Sequence, residues 1–330
     1  MACLLFFLLS LVGCSSPAQA ASPSAAGLAS PDGGPVRLWQ DAAIFRLVGG
    51  LIASSRMRVD VEMYELGRAD IAQLLVAAEG RGVEVRVILD PTVGVSRTSA
   101  SRLRASRLAV RMYPVDDRRH QIDHVKLLVA DGEAAIGGMN WGAHSDRNHD
   151  YVLEMRIVSD LARAESVFEQ DWALAGGHPA PLRPMIASVG QTSPGKEIRE
   201  MLTSALVAAA RRVLAEVYTL TDPSVIAELA GARRRGLDVR VVLDPNQSYN
   251  LHAAAMLRVA GVGVRWYPVP RGALLHAKVG LFDGLLLLGS ANWTLSGLGV
   301  NHELDVETRD VEAVAAYAAR FELDWGRSAA

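Results

Sequence analysis

Apolar and polar positions in this chain follow two different periods, and the periods alternate. From residue 83 the run "VEVRVIL" puts an apolar side chain on every second position, which is the period of a strand. Ahead of it, "IAQLLVAAEGRG" carries apolar residues at helical spacing and closes on glycine. Earlier still, "MRVDVEMY" has strand character. The order returns further along as helix "GKEIREMLTSALVAAARR", strand "VLAEVY", helix "VIAELAGARRRG" and strand "LDVRVVL". Another helix and two strand-like runs then complete each passage. This alternation predicts an α/β sandwich in each passage.

The second passage repeats the first. "GVEVRVILDP" ends at Pro91 and "GLDVRVVLDP" at Pro245, 154 positions apart, and "YPV" begins at Tyr113 and again at Tyr267 with the same offset. "HVK" at His124 and "HAK" at His276 differ by 152, so the first copy has two extra residues ahead of this motif. "NHD" from Asn148 matches "NHE" from Asn301, and "DW" from Asp171 matches "DW" from Asp324, both offset by 153. A repeat on this scale divides the chain into halves at 36–176 and 195–330. The stretch 177–194 between them is rich in Pro and Gly, which is linker composition.

Packing alone does not explain why polar groups recur. "DHVKLLVADGEAAIGGMNWG" (123–142) and "LLHAKVGLFDGLLLLGSANWT" (274–294) each set a His and a Lys two apart in an apolar run. On a strand these face the same way, pairing His124 with Lys126 and His276 with Lys278. Asp131-Gly132 and Asp283-Gly284 have the composition of tight hairpin turns, after which a second strand runs back towards Asn140 or Asn292. Each half is thus expected to present an imidazole, an ammonium and an amide together. Two such clusters suit a phosphodiester. The lysines match the negative charge that grows in its transition state, and the asparagines can donate to its equatorial oxygens. One neutral imidazole can attack phosphorus while the other, protonated, protonates the leaving alkoxide. No metal or cofactor is required. Zinc is the rival use of paired histidines, but neither half has the ligand spacing zinc prefers, and nearby lysines would repel the ion.

Composition narrows the setting. Half of the 330 residues are hydrophobic, ample for a sizeable core, and 34 Lys plus Arg against 36 Asp plus Glu leave no global positive field for polyanions. The start, "MACLLFFLLSLVGCSSPAQA", is apolar from Leu4 to Val12, too short to span a bilayer and placed as a secretory signal is. "LVGC" resembles the lipobox of bacterial lipoproteins, which implies a signal peptide over 1–13 and a lipid-anchored Cys14. Cleavage after Ala20, releasing a soluble protein, is the rival. The Ser-, Ala- and Pro-rich stretch 14–35 has the composition of a flexible tether. Cys3 and Cys14 are the only cysteines, so lipobox processing leaves no disulfide.

The duplicated pattern H-x-K, four residues, D, then G-(S)-x-N resembles the HKD signature of the phospholipase D superfamily, over nearly the whole chain beyond the tether. The resemblance implies two similar α/β/α halves about a pseudo-twofold axis, with one active site at their interface. It implies a covalent phosphohistidine formed by His124, with His276 as general acid. Lys126, Lys278, Asn140, Asn292 and Ser290 would hold the phosphate. Asp150 and Glu303 match the family carboxylates that orient the imidazoles, while Asp131 and Asp283 fix the turns. The chain departs from the pattern in having Gly138 where Ser290 stands in the other half, and in having five residues between Asp and Gly.

Substrate choice is less legible. "GSANWTLSGLGVNHEL" resembles the branch that holds small endonucleases and cardiolipin hydrolases. An anchor and a near-neutral charge favour phospholipid. Arg97, Arg102, Arg104, Arg107, Arg111, Arg118 and Arg119 read as a solvated face, or alternatively as a groove for nucleic acid or anionic headgroups. Trp141 and Trp293 are expected to pack behind the site, and His149 and His302 to support it. The expectation is a metal-independent phosphodiesterase hydrolysing phospholipid in the bacterial envelope. A nuclease and a non-catalytic tethered binding protein are the alternatives.

Overall fold

The computed structural model describes residues 34–178, 187–193 and 195–330. The expected signal over 1–13, Cys14 and the tether up to residue 33 lie outside the described residues.

The first half builds one mixed sheet from β1 (Val36–Gln40), β2 (Arg58–Met63), β3 (Glu84–Leu89), β4 (Ala109–Met112), β5 (Lys126–Ala130), β6 (Glu133–Gly137) and β7 (Tyr151–Met155). Their order across the sheet is β1-β7-β6-β5-β2-β3-β4. The helices are α1 (Ala43–Ser54), α2 (Ala69–Gly80), α3 (Gly94–Ala105) and α4 (Val158–Ala175). β2, β3 and β4 run parallel because α2 and α3 carry the chain back between them, whereas β5, β6 and β7 follow one another antiparallel.

The second half repeats this plan. Its strands are β8 (Val189–Gln191), β9 (Arg212–Val217), β10 (Asp238–Leu243), β11 (Gly263–Trp266), β12 (Lys278–Phe282), β13 (Leu285–Gly289) and β14 (Leu304–Thr308), in the order β11-β10-β9-β12-β13-β14-β8. Its helices are α5 (Glu197–Ala208), α6 (Pro223–Arg234), α7 (Asn250–Val259) and α8 (Val311–Arg327). β8 lies inside the stretch expected to be linker; it pairs antiparallel with β14 and so belongs to the second sheet. With three residues it is too short to show a period in the sequence.

β5 reads KLLVA and β13 reads LLLLG, all buried, because both faces of each sheet are covered. One apolar layer joins the first sheet to α1, α2 and α3 through residues such as Ile44, Leu75 and Leu103. A second joins the other sheet to α5, α6 and α7 through Leu202, Leu229 and Leu257. Between the sheets lies a shared layer that includes Phe168 of α4, Tyr317 and Phe321 of α8, Ile136 and Leu288. The halves therefore share one core along their seam. Asp131 and Gly132 close the first hairpin with φ of 46° and 103°, the left-handed pair a two-residue turn requires. Among the described residues no helix is long and apolar enough to cross a membrane.

Candidate active site

Each His-x-Lys segment begins by hydrogen bonding to the other half. His124 N–H donates to His302 O at 2.8 Å and His302 N–H to Ile122 O at 2.9 Å. In the mirror arrangement His276 N–H donates to His149 O and His149 N–H to Leu274 O, both at 2.8 Å. The histidines thus stand at the entries of β5 and β12, not inside those strands as the spacing suggested, and Lys126 and Lys278 open the strands. The correction has a physical cause: backbone groups ahead of the ladder are free to pair across the seam.

A carboxylate from the opposite half then orients each ring. Glu303 Oε2 lies 2.8 Å from His124 Nδ1, and Asp150 Oδ2 lies 2.8 Å from His276 Nδ1. A carboxylate accepts, so Nδ1 carries the proton and Nε2 keeps its lone pair. Both rings are almost fully buried. Burial, helped by Lys126 and Lys278, holds the His124 pKa well below the usual imidazole value. Burial and Lys278 push His276 down to about 3, against the opposing pull of Asp150. Both shifts favour the neutral imidazole.

The ammonium groups share this environment. Lys126 Nζ donates to His124 O at 2.6 Å, and Lys278 Nζ donates to His276 O. Burial brings the pKa of Lys126 down to about 7 and that of Lys278 to about 8, with Glu303 and Asp150 opposing the shift in each case. Tyr64, at the end of β2, sets its ring 4.8 Å from His124 and 5.1 Å from the Lys126 ammonium. Tyr218, at the end of β9, sits 4.9 Å from His276 and 5.1 Å from Lys278. These tyrosines were not among the expected site residues, although they recur 154 apart, the offset of the strands they end. Asn140 and Asn292 lie three residues beyond β6 and β13, half-buried, each with a buried Oδ1 that has no hydrogen-bond partner.

Ser290 does not behave as an expected phosphate ligand. Its hydroxyl donates to Glu303 Oε2 at 2.6 Å and accepts from Leu304 N–H at 2.9 Å, and the residue is fully buried. It holds the carboxylate that holds His124. In the first half a Cβ on Gly138 would fall 2.3 Å from Asp150 Oδ1, so the shorter carboxylate occupies the space a serine would need. This accounts for the missing hydroxyl.

The motif aspartates sit at the hairpin tips. Asp131 accepts from the N–H groups of Arg56, Met57 and Arg58, and Asp283 from those of Ala210, Arg211 and Arg212, at 2.6 to 3.1 Å. Each ties its turn to the start of the neighbouring strand. Trp141 and Trp293 are buried in the outer apolar layers behind the site. Four of the seven arginines of residues 97–119 are tied to backbone carbonyls. Arg97, Arg104, Arg111 and Arg119 bond to the carbonyls of Pro91, Val110, Trp172 and Gly299, which lie in separate parts of the fold. A hollow of about 560 Å³ opens at the seam, lined by Glu65, His144, Asn148, Asn246 and Leu274.

The structure brings two imidazoles and two lysines together, with Lys278 Nζ 3.0 Å from His276 Nε2, and each half adds an asparagine whose Oδ1 has no partner. A family model described as "Cardiolipin synthase, PLD-like domain" matches residues 49–172 and again 202–325. The probable cardiolipin synthase YwiE of Bacillus subtilis is 24% identical over 316 residues, covering 84% of this chain and 62% of that protein. Cardiolipin synthase A of Pseudomonas putida is 29% identical over 279 residues, covering 74% of this chain and 57% of the relative. The chain thus spans about three fifths of the length of these curated relatives. The crystal structure of the phosphatidylserine synthase of Haemophilus influenzae superposes with a TM-score of 0.69 at 11% identity, covering 89% of this chain and 86% of that one, a likeness of fold.

Proposed function

The chain belongs to the phospholipase D-like domain family of the cardiolipin synthases, and we propose that it cleaves phospholipid phosphodiesters through a covalent phosphohistidine. The observation that carries this reading is the crossed pair of contacts, His124 with Glu303 and His276 with Asp150, beside two buried lysines.

His124 Nε2 attacks phosphorus, the P–O bond to the leaving alcohol breaks, and the alkoxide takes a proton from His276. The negative charge of a bound phosphodiester raises the depressed pKa of His276 and lets it arrive protonated. Lys126 and Lys278 lie against the charge that develops on the phosphoryl oxygens. Water then gives its proton to His276 and attacks phosphorus, and the P–N bond breaks to free His124. An alcohol in place of water turns the same second step into transfer.

Phospholipid is favoured over nucleic acid by two supports. The relatives are named for cardiolipin synthesis, and four of the seven arginines in the run are already engaged by backbone carbonyls. The experiment offers the chain, with His124→Ala as control, phosphatidylglycerol vesicles and separately single- and double-stranded DNA, and identifies products by mass spectrometry and gel. Phosphatidic acid formed by wild type alone supports hydrolysis, and cardiolipin supports transfer. Cut DNA with untouched lipid overturns the phospholipid reading.

A further inference from the structure

The repeat places a second constellation behind each catalytic histidine, and the two copies differ in one consistent direction. In one copy His149 sets Nε2 3.5 Å from Glu216 Oε1 and 3.3 Å from Asp324 Oδ2, with Nδ1 2.6 Å from Asp41 Oδ1. This copy carries its own donors and its own cation. Tyr151 Oη donates to Glu216 Oε2 at 2.6 Å, and Arg320 pairs with both Asp41 and Asp324.

In the other copy the corresponding residues are His302, Glu62 and Asp171, with His302 Nε2 2.9 Å from Asp171 Oδ2 and 3.4 Å from Glu62 Oε1. The repeat offsets put Leu304 in the place of Tyr151 and Val167 in the place of Arg320, so the phenol and the guanidinium are both gone. Asp123 stands where the first copy has Leu275, adding a carboxylate. Glu62, Asp123, Asp171 and His302 are all fully buried. Neither oxygen of Glu62 has a hydrogen-bond partner, and Asp123 Oδ2 has none either. Ligand atoms of Glu62, Asp123 and His302 all lie within 4.8 Å of one another.

Three buried carboxylates facing one imidazole are under-neutralised, and such an arrangement is costly unless a cation is supplied. We infer that Glu62, Asp123, Asp171 and His302 bind one divalent transition-metal ion, which takes the place Arg320 holds in the other copy. His302 is set for the task. Its Nδ1 donates to the Ser193 carbonyl and its ring stacks on Tyr113 at 4.6 Å, which holds Nε2 towards the carboxylates; Nε2 there donates to Asp171 Oδ2 at 2.9 Å, and metal binding displaces that proton. Tetrahedral bonds of about 2.0–2.1 Å place neighbouring ligand atoms about 3.4 Å apart, the spacing of Nε2 from Glu62 Oε1, while Asp171 at 2.9 Å has to draw back from its hydrogen bond to ligate. One imidazole with carboxylates suits zinc or manganese.

The ion does not touch substrate. Asp123 precedes His124 and His302 precedes Glu303, so it ties both halves together behind the His124–Glu303 pair. The inference stands apart from the proposed reaction, and its test is independent of turnover.

The test measures metal by plasma mass spectrometry on the full chain, purified without chelator and extensively dialysed. About one equivalent of zinc or manganese per chain is expected, with a melting temperature that falls on prolonged chelation and recovers when Zn²⁺ or Mn²⁺ alone is returned. Asp123→Leu, which copies Leu275, and Glu62→Gln are expected to lose the ion, while Glu216→Gln in the other copy keeps it. Wild type with no bound metal, and a melting temperature indifferent to both ions, overturns the inference and leaves protons as the neutralising charge. Metal retained in both Asp123→Leu and Glu62→Gln overturns it equally, since the ion then sits elsewhere. Should either variant fail to fold, the wild-type metal content still decides.

Discussion

His124 belongs to the first half of the molecule and Glu303, whose Oε2 lies 2.8 Å from its Nδ1, belongs to the second. Asp150 and His276 return the arrangement in the opposite sense. Neither half holds a complete histidine–carboxylate pair, and the consequences can be measured.

Removing either ring is expected to cost at least the ~10²–10⁴ typical of a general acid or base, and more for the nucleophile. The two variants differ in their trapped species. With labelled substrate and rapid quenching, His276→Ala accumulates label on His124, because the second step lacks its base, whereas His124→Ala shows none. Label on His276 in the His124→Ala protein reverses the two roles.

Glu303→Gln leaves the ring in place but removes the acceptor that keeps the proton on Nδ1. A fall in kcat of roughly 10²–10⁴ is expected with KM nearly unchanged, by the logic of a triad carboxylate. Ser290→Ala acts one contact further back and loses a hydrogen bond to a charged group, on the order of 2 kcal/mol or less, so its loss in kcat is smaller. If Ser290→Ala instead raises KM and spares kcat, the hydroxyl binds phosphate after all.

The depressed lysines set the alkaline side of the pH profile. Lys126 at about 7 and Lys278 at about 8 lose their charge as pH rises through those values, so kcat/KM should decline above neutrality. A bound phosphodiester favours the ammonium form, and the decline in kcat therefore lies at higher pH than that in kcat/KM. In Lys278→Arg the guanidinium stays charged, and the limb near 8 disappears while absolute activity falls. A limb that persists unchanged in this variant belongs to another group.

Asp131 is a motif residue with a purely structural expectation. Asp131→Ala removes the acceptor for three backbone N–H groups at an exposed hairpin tip and should lower stability by about 1–2 kcal/mol. Denaturant midpoints check the first part of the claim and kcat the second. A hundredfold loss of kcat in a protein of undiminished stability would show that Asp131 serves the reaction directly.

The sequence by itself determined a good deal of this protein. The offsets of 152 to 154 between the copies set out two α/β halves, and the HKD pattern named His124, His276, both lysines and both asparagines. Those signals are local, since strand alternation, helix period and a Gly-containing turn are written within a dozen residues. The edge strands β1 and β8 were missed because five and three residues carry too little pattern. Only the tertiary structure decided which carboxylate serves which histidine. The partners are 179 and 126 residues apart, and the pairing crosses between halves because the sheets meet face to face along a shared core. The same is true of Ser290, which Glu303 claims, and of Asp171, legible only as a repeated "DW" until α4 brought it beside His302. Periodicity tells a residue which face it lies on, and burial with its hydrogen-bond demands then settles what it must meet there.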